Sequence, residues 1–309
     1  MKFAAIGRHE ALLKSIEALC AAGHELSYIV TAKEAPEYRY GVSHFEELGR
    51  RLGAPVYIAA RFNESVLDMT RGHEAEIAVS LNYPTVISTQ VIERFELGIL
   101  NAHGGDLPRY RGNACQAWAM INGETQIGLC VHKMVGGELD SGDVITKALL
   151  PIGVNTPISE VMAWIETQVP HLFVDALRTL AADPSYVLYR QAETGVPPLR
   201  CYPRQPSDAR IRWDRPAAEV VRLINASGPP YAGAHFDFDG QVFRVHRARW
   251  VASVAYCAVP GQIAHINQDL SVDVACGGEG FCRIREVIDA AGAVATFGTL
   301  VKSVRNRLD

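Results

Sequence analysis

Leu100-Asn101-Ala102-His103-Gly104-Gly105-Asp106-Leu107-Pro108-Arg109-Tyr110-Arg111-Gly112 decides the reading of this chain, together with Leu139-Asp140-Ser141-Gly142-Asp143 further on. The first stretch opens on an apolar run, residues 99–103, that reads as a strand. Asn101 and His103 are two residues apart, a spacing that puts both side chains on one face of a strand. An amide donor and an imidazole thus converge on one point. Gly104, Gly105 and Gly112 let the following backbone approach a ligand closely, while Pro108 stiffens the loop.

Upstream, short apolar runs at residues 3–6, 26–31, 55–58 and 76–81 read as further strands. Between them, residues 12–20, 44–52, 65–71 and 86–95 carry apolar side chains at helical spacing, and Gly23 and Gly53 stand where helices should stop. This alternation predicts an α/β, Rossmann-like sheet with helices on both faces. Ligands of such sheets sit beyond the carboxyl ends of the strands, which draws Leu81-Asn82-Tyr83 toward Asn101 and His103. Gly7 is followed by Arg8-His9-Glu10, so the glycine fingerprint of a dinucleotide site is missing and a nicotinamide-dependent oxidoreductase is not expected.

Downstream, residues 116–122 read as a helix, 125–135 and 143–151 as strands, and 158–180 as a long helix. Pro197, Pro198, Pro203 and Pro206 then mark a linker. After an amphipathic stretch at 216–225, strands are expected at 234–238, 241–251, 262–267, 271–275, 282–288 and 299–301, with Asp239-Gly240 as a hairpin turn. Short strands at this spacing suggest a small, OB-like β-barrel. The expected division is a catalytic domain at 1–190, a linker at 191–206 and a β-rich domain at 207–309.

A chain of 309 residues suits two domains better than one. Hydrophobic residues make up 48% and charged residues 21%, an ordinary globular balance. The net charge of −4 gives no global field to attract nucleic acid or an anionic membrane. Seven scattered cysteines without a CxxC pair point to a reduced, cytoplasmic protein without structural zinc. No run of about 18 apolar residues is present to span a bilayer. His24, His44, His73, His132, His235 and His246 have no ligand spacing and read as structural or surface residues.

Asn101-x-His103-Gly104, then Leu107-Pro108-Arg109-Tyr110-Arg111-Gly112, then Asp140-Ser141-Gly142-Asp143, resembles the signature of the folate-dependent formyltransferases. In that family an Asn, a His and an Asp surround the transferred formyl group. Asn122-Gly123-Glu124-Thr125 is similar to the same family, as is Ser227-Gly228-Pro229-Pro230-Tyr231-Ala232-Gly233-Ala234, a turn entering the C-terminal domain. The resemblance departs at Gly105-Asp106, where the family commonly has serine and leucine. It implies N10-formyltetrahydrofolate as formyl donor, no metal, and an amine as acceptor. Attack on the formyl carbon builds a negative oxygen that Asn101 and His103 would stabilise, with Asp140 charging His103 and helping the amine lose its proton.

The resemblance further implies that the pterin lies against Leu81, Asn82, Tyr83, Val86 and Ile87 and against the loop holding Val135 and Leu139. Arg8, His9, Tyr110, Arg111 and Asn113, near strand ends, are the candidates for acceptor contact. Two acceptors compete: a nucleotide-linked amino sugar, as in lipopolysaccharide biosynthesis, and initiator methionyl-tRNA. Residues 31–41 form a short Gly- and Tyr-containing loop rather than a basic one, and residues 207–309 carry twelve basic against eleven acidic side chains. Arg244, Arg247 and Arg249 alternate as on one strand face, expected to be solvated. The loop 112–124, with Trp118, also resembles the sugar branch, whose bacterial members are often homodimers. The nucleotide sugar is therefore the expected acceptor. Formyltetrahydrofolate hydrolysis is less expected, because hydrolases carry an N-terminal regulatory domain and the formyltransferase pattern here begins at residue 1.

Overall fold

The computed structural model describes residues 1–36 and 38–309; position 37, inside the loop read above as 31–41, lies outside the described residues. In chain order the first elements are β1 (Lys2–Gly7), α1 (Glu10–Ala21), β2 (Glu25–Thr31), α2 (Val42–Leu52), β3 (Val56–Ile58), α3 (Glu64–Met69), β4 (Ile77–Leu81), α4 (Thr89–Ile92) and β5 (Ile99–His103). A two-residue strand β6 (Arg111–Gly112), α5 (Cys115–Ile121), β7 (Gln126–Lys133), β8 (Val144–Pro151) and α6 (Ile158–Ala182) follow. The chain divides into two compact units, the first made of 1–112, 128–149 and 163–201, the second of 113–127, 150–162 and 202–309.

The seven-stranded sheet runs in the order β3-β2-β1-β4-β5-β7-β8. Strands β1 to β5 pair in parallel, and β7 joins β5 antiparallel. Alternation along β1 shows why both faces need helices. Phe3 and Ala5 pack with Leu12, Ile16, Phe45 and Phe173, from α1, α2 and α6, whereas Ala4 and Ile6 pack with Val66, Val91 and Phe95. Strands buried on both sides become continuous apolar runs. Because β1 lies between β2 and β4, the strand order reverses at the carboxyl ends of β1 and β4, the place where open α/β sheets bind ligands.

The helix expected at 86–95 shrinks to the four residues of α4. Ser88 adopts the extended conformation of an N-cap, and Val86 before it is exposed rather than packed.

Later elements are β9 (Arg200–Cys201), which pairs with β6, α7 (Ala217–Asn225), β10 (Ala234–Phe238), β11 (Gln241–Val245), β12 (Arg249–Val251), β13 (Ile263–Ile266), β14 (Val272–Ala275), β15 (Phe281–Ile284), β16 (Glu286–Ile288), β17 (Val294–Thr296) and α8 (Phe297–Leu300). The C-terminal strands form two antiparallel four-stranded sheets, β10-β11-β16-β17 and β12-β15-β14-β13, around one core that includes Trp213, Phe236, Val274, Ile284 and Phe297. The single strands expected at 241–251 and 282–288 each break in two, at 246–248 and at Arg285, because the chain crosses from one sheet to the other there. Such crossings make the corners of orthogonally packed sheets. Arg244, Arg247 and Arg249 therefore do not share a strand face: the first is on β11, the second in the bend, the third on β12. The strand expected at 299–301 is also corrected. Phe297, fully buried, anchors α8 over those residues, and the edge strand is β17, just before it. Among the described residues no helix is long and apolar enough to cross a membrane.

Candidate functional site

Register places the polar cluster. On β5, Asn101 stands opposite His132 of β7 and beside Ser80 of β4, while His103 faces Cys130. Asn101, His103 and His132 thus rise on one side of adjacent strands, and the turn after β7 brings Asp140 to them. The His103 Nδ1 to Asp140 Oδ2 distance is 3.5 Å. Asn101 Nδ2 lies 3.5 Å from Asp140 Oδ1 and 3.3 Å from His132 Nε2, and that ring nitrogen is 3.4 Å from the same carboxylate oxygen. Gly112 N–H donates to Asp140 Oδ2 at 2.8 Å.

The hydrogen-bond partners assign the two imidazoles. His132 Nδ1 is 2.9 Å from the Lys133 carbonyl, an acceptor, so Nδ1 carries hydrogen, and Nε2 faces both the Asn101 amide and Asp140 Oδ1. His103 Nε2 is 2.6 Å from the Tyr110 carbonyl, so hydrogen sits on Nε2 and the unprotonated Nδ1 faces Asp140. Burial of His103 pushes its pKa below the ordinary 6.5, against the opposing pull of Asp140. Burial alone would raise Asp140, yet the neighbouring His103 and His132 and the Gly112 N–H hold its carboxyl well below the usual carboxylate range. The result is a neutral imidazole whose protonated form has an ionised carboxylate waiting beside it.

Backbone strain marks the segments of this unit that hold the cluster. His9, Asn82, Tyr110 and Asp140 adopt positive φ despite carrying side chains, with Asp140 at 52°, and the last two contact His103. Such conformations cluster where surrounding structure holds a functional geometry. Gly105 is required by close approach: an added Cβ would strike the Tyr110 carbonyl and lie 2.6 Å from His103 Nε2.

Of the expected pterin segment, Leu81 and Ile87 are buried, Asn82 is exposed, and the Tyr83 hydroxyl donates to the Ala59 carbonyl. Val86 is 62% exposed and Val135 41%, while Leu139 is half-buried. The two loops meet where Gly136 abuts Thr89. Ser80 and Ser141, flanking the cluster, have buried hydroxyls without a partner.

Among the expected acceptor contacts, Arg8 donates to the Asn82 and Lys33 carbonyls at 3.1 and 2.9 Å and lies over the Tyr38 ring, so it ties three loops together. His9 caps α1, its Nδ1 accepting from Ala11 N–H. The Tyr110 ring is buried, and its carbonyl is the group facing His103. Arg111 Nε and Nη2 donate to Gln191 Oε1, and Asn113 is exposed in the second unit. Two cluster members escaped the sequence reading. Spacing alone reads His132 as a structural histidine, and only its register with Asn101 brings it into the site; Gln191 sits at the start of the expected linker.

A cavity of about 810 Å³ on the second unit is lined by residues that include Arg247, Arg249, Trp250 and Arg285. Asp273 pairs with Arg283, Glu160 approaches Arg247, and Asp269 and Glu286 line the same hollow, so the basic charge there is compensated.

Residues 1–177 match the family described as Formyl transferase, and residues 204–305 match Formyl transferase, C-terminal domain. Over 293 residues the chain is 28% identical to the methionyl-tRNA formyltransferase of Solibacter usitatus (strain Ellin6076), covering 93% of this chain and 90% of that protein. The N-formyltransferase of Helicobacter canadensis, solved with folinic acid and dTDP-3-aminofucose, superposes with a TM-score of 0.70 at 13% identity, covering 92% of this chain and 98% of that one. HypX of Aquifex aeolicus matches 98% of this chain with a TM-score of 0.61 at 14% identity, and this chain spans about half its length, 49%. The two structural likenesses concern the fold.

Proposed function

The chain belongs to the formyl transferase family, and from that premise we propose that it moves a formyl group from N10-formyltetrahydrofolate to the amino group of a nucleotide-linked sugar. The observation that carries this reading is the cluster of half-buried Asn101 with buried His103, His132 and Asp140 at the carboxyl end of β5, one strand away from the strand-order reversal of the sheet. The donor supplies an electrophilic carbon whose oxygen becomes negative when an amine attacks. Asn101 Nδ2–H, released from its long 3.5 Å contact with Asp140, donates to that oxygen. His103 Nδ1 takes the proton lost by the amine, directly or through water, and Asp140 stabilises the resulting imidazolium. The oxyanion then collapses, the bond between the formyl carbon and N10 of the folate breaks, and the imidazolium returns its proton to N10, directly or through water, so that tetrahydrofolate leaves and His103 is neutral again. His132 holds the Asn101 amide in register.

Leu81, Asn82, Tyr83, Val86, Ile87, Val135 and Leu139 would hold the pterin, largely through backbone polar groups, with Val86 and Val135 giving it apolar cover. Arg111, whose Nη1 is unbonded among the described residues, would take an anionic group of the acceptor, while Arg8 ties together the loops after β1, β2 and β4 and His9 caps α1. We assign chemistry to residues 1–190 and acceptor selection or assembly to 207–309. The compensated arginines of the second unit favour a small acceptor over a polyanion. The 28% identical relative favours a second reading, methionyl-tRNA as acceptor.

Labelled N10-formyltetrahydrofolate offered with UDP-, dTDP- and GDP-linked amino sugars, and separately with initiator methionyl-tRNA, decides between them. Label on a sugar amine is expected. Label on methionyl-tRNA alone selects the second reading, and formate release without any acceptor replaces both with hydrolysis.

A further inference from the structure

Gln191 is 3% exposed and uses the whole bonding capacity of its amide. Its Oε1 accepts from Arg111 Nε at 3.1 Å and Nη2 at 2.7 Å. Its Nε2 donates to the Asp140 carbonyl at 2.9 Å and the Gly142 carbonyl at 2.7 Å. The backbone gripped at the second end is the strained one, since Asp140 has φ 52°. A left-handed φ is uncommon for a residue with a side chain and is held here by the contacts around it. Gln191 is itself fixed: Tyr189 bridges Val144 at the start of β8, and Thr194 Oγ1 donates to the Gln191 carbonyl.

One rigid, planar amide therefore joins an arginine at the acceptor side to the turn carrying the carboxylate beside His103. The Gln191 amide cannot follow Arg111 without moving its donors relative to the carbonyls of Asp140 and Gly142. We propose that Gln191 is a positioning residue that holds Asp140 in place for the transfer step and couples that placement to occupancy of Arg111. This inference rests on the formyl-transfer reading above. Gln191 touches neither reacting group and acts through Asp140.

Two substitutions separate its two ends. Gln191→Glu keeps an acceptor for Arg111 but loses both N–H donors and sets carboxylate lone pairs against two carbonyls. Gln191→Met, of similar size, loses everything. For Q191E the expectation is at least a tenfold fall in kcat, an acceptor KM within threefold of wild type, and a displaced acid limb of the kcat profile against pH. For Q191M both kcat and acceptor KM should worsen. Combined with Asp140→Asn, neither should lower kcat further than Asp140→Asn alone, because the effect on the transfer step passes through the carboxylate, while the acceptor KM loss of Q191M persists because it passes through Arg111. A merely structural role lowers Tm and leaves kcat and the pH profile of the folded protein untouched. That outcome in either variant that folds, or kcat losses that multiply with Asp140→Asn, overturns the proposal. Wild-type protein that formylates no amine at all refutes the underlying reading instead.

Discussion

Replacing Asp140 with Asn removes the charge beside His103 while keeping the shape of the side chain. At 3.5 Å and an effective dielectric of about 20, a carboxylate and an imidazolium attract by about 4–5 kcal/mol, equivalent to about 3 pH units on the imidazole. Relaxation and water entry reduce what is observed, so a displacement of about 1–3 units is expected. Its sign follows from the two opposing influences on His103. Burial lowers the pKa below 6.5 and Asp140 raises it, so losing Asp140 lowers it further. In the wild type, activity rises with pH through the His103 titration, below pH 6.5. In the variant this acid limb moves to still lower pH, and the plateau falls about 10²–10³-fold because the imidazolium formed during transfer loses its counter-charge. The assay is kcat/KM for formyl transfer between pH 4.5 and 9. An acid limb at the wild-type position, with a plateau within threefold of wild type, refutes the pairing of His103 and Asp140 as the proton-accepting unit.

Gly105→Ala should uncouple His103 from the Tyr110 carbonyl, since the new Cβ occupies that contact; transfer should drop about 10²-fold, read by initial rates and by the shift of the His103 ring resonances. His132→Leu leaves the Asn101 amide without its 3.3 Å partner and should lower kcat about 10–10²-fold with donor KM nearly unchanged; single-turnover rates equal to wild type would remove His132 from the site. In the second unit, fully buried Asn225 bonds the Val154 carbonyl and both backbone groups of Ala248. Asn225→Leu strands these groups, each costing about 1–3 kcal/mol before relaxation, so calorimetry should show a clear fall in Tm.

The parts of the site that were legible in the sequence are those carried by local pattern. Asn101 and His103 share a strand face by spacing alone, and the Asp140 turn belongs to a recognisable composite motif. His132 contributes through a register between β5 and β7 that spans 31 positions, which periodicity does not encode. Gln191 acts through carbonyls some 50 residues back, invisible to any motif of side chains. Arg8 and His9 were correctly located at a strand end, but their work as loop tie and helix cap depends on a positive φ at His9 that no propensity announces. In the second unit most strands were legible, but not their corners or the edge strand β17. Residues 241–251 read as one strand, although the adjacent polar pair His246-Arg247 interrupts their alternation, at the bend where the chain crosses to the other sheet.

The central claim is that this cluster transfers formyl to an amine, and the most direct measurement follows the formyl carbon itself. A single turnover with carbon-labelled N10-formyltetrahydrofolate and the amine-bearing nucleotide sugars, sampled by NMR, should show the label leaving the folate and reappearing as a sugar formamide. Asn101→Ala should slow this step about 10²–10³-fold. Label that stays on folate with every sugar and with methionyl-tRNA, or that moves equally fast in Asn101→Ala, contradicts the account.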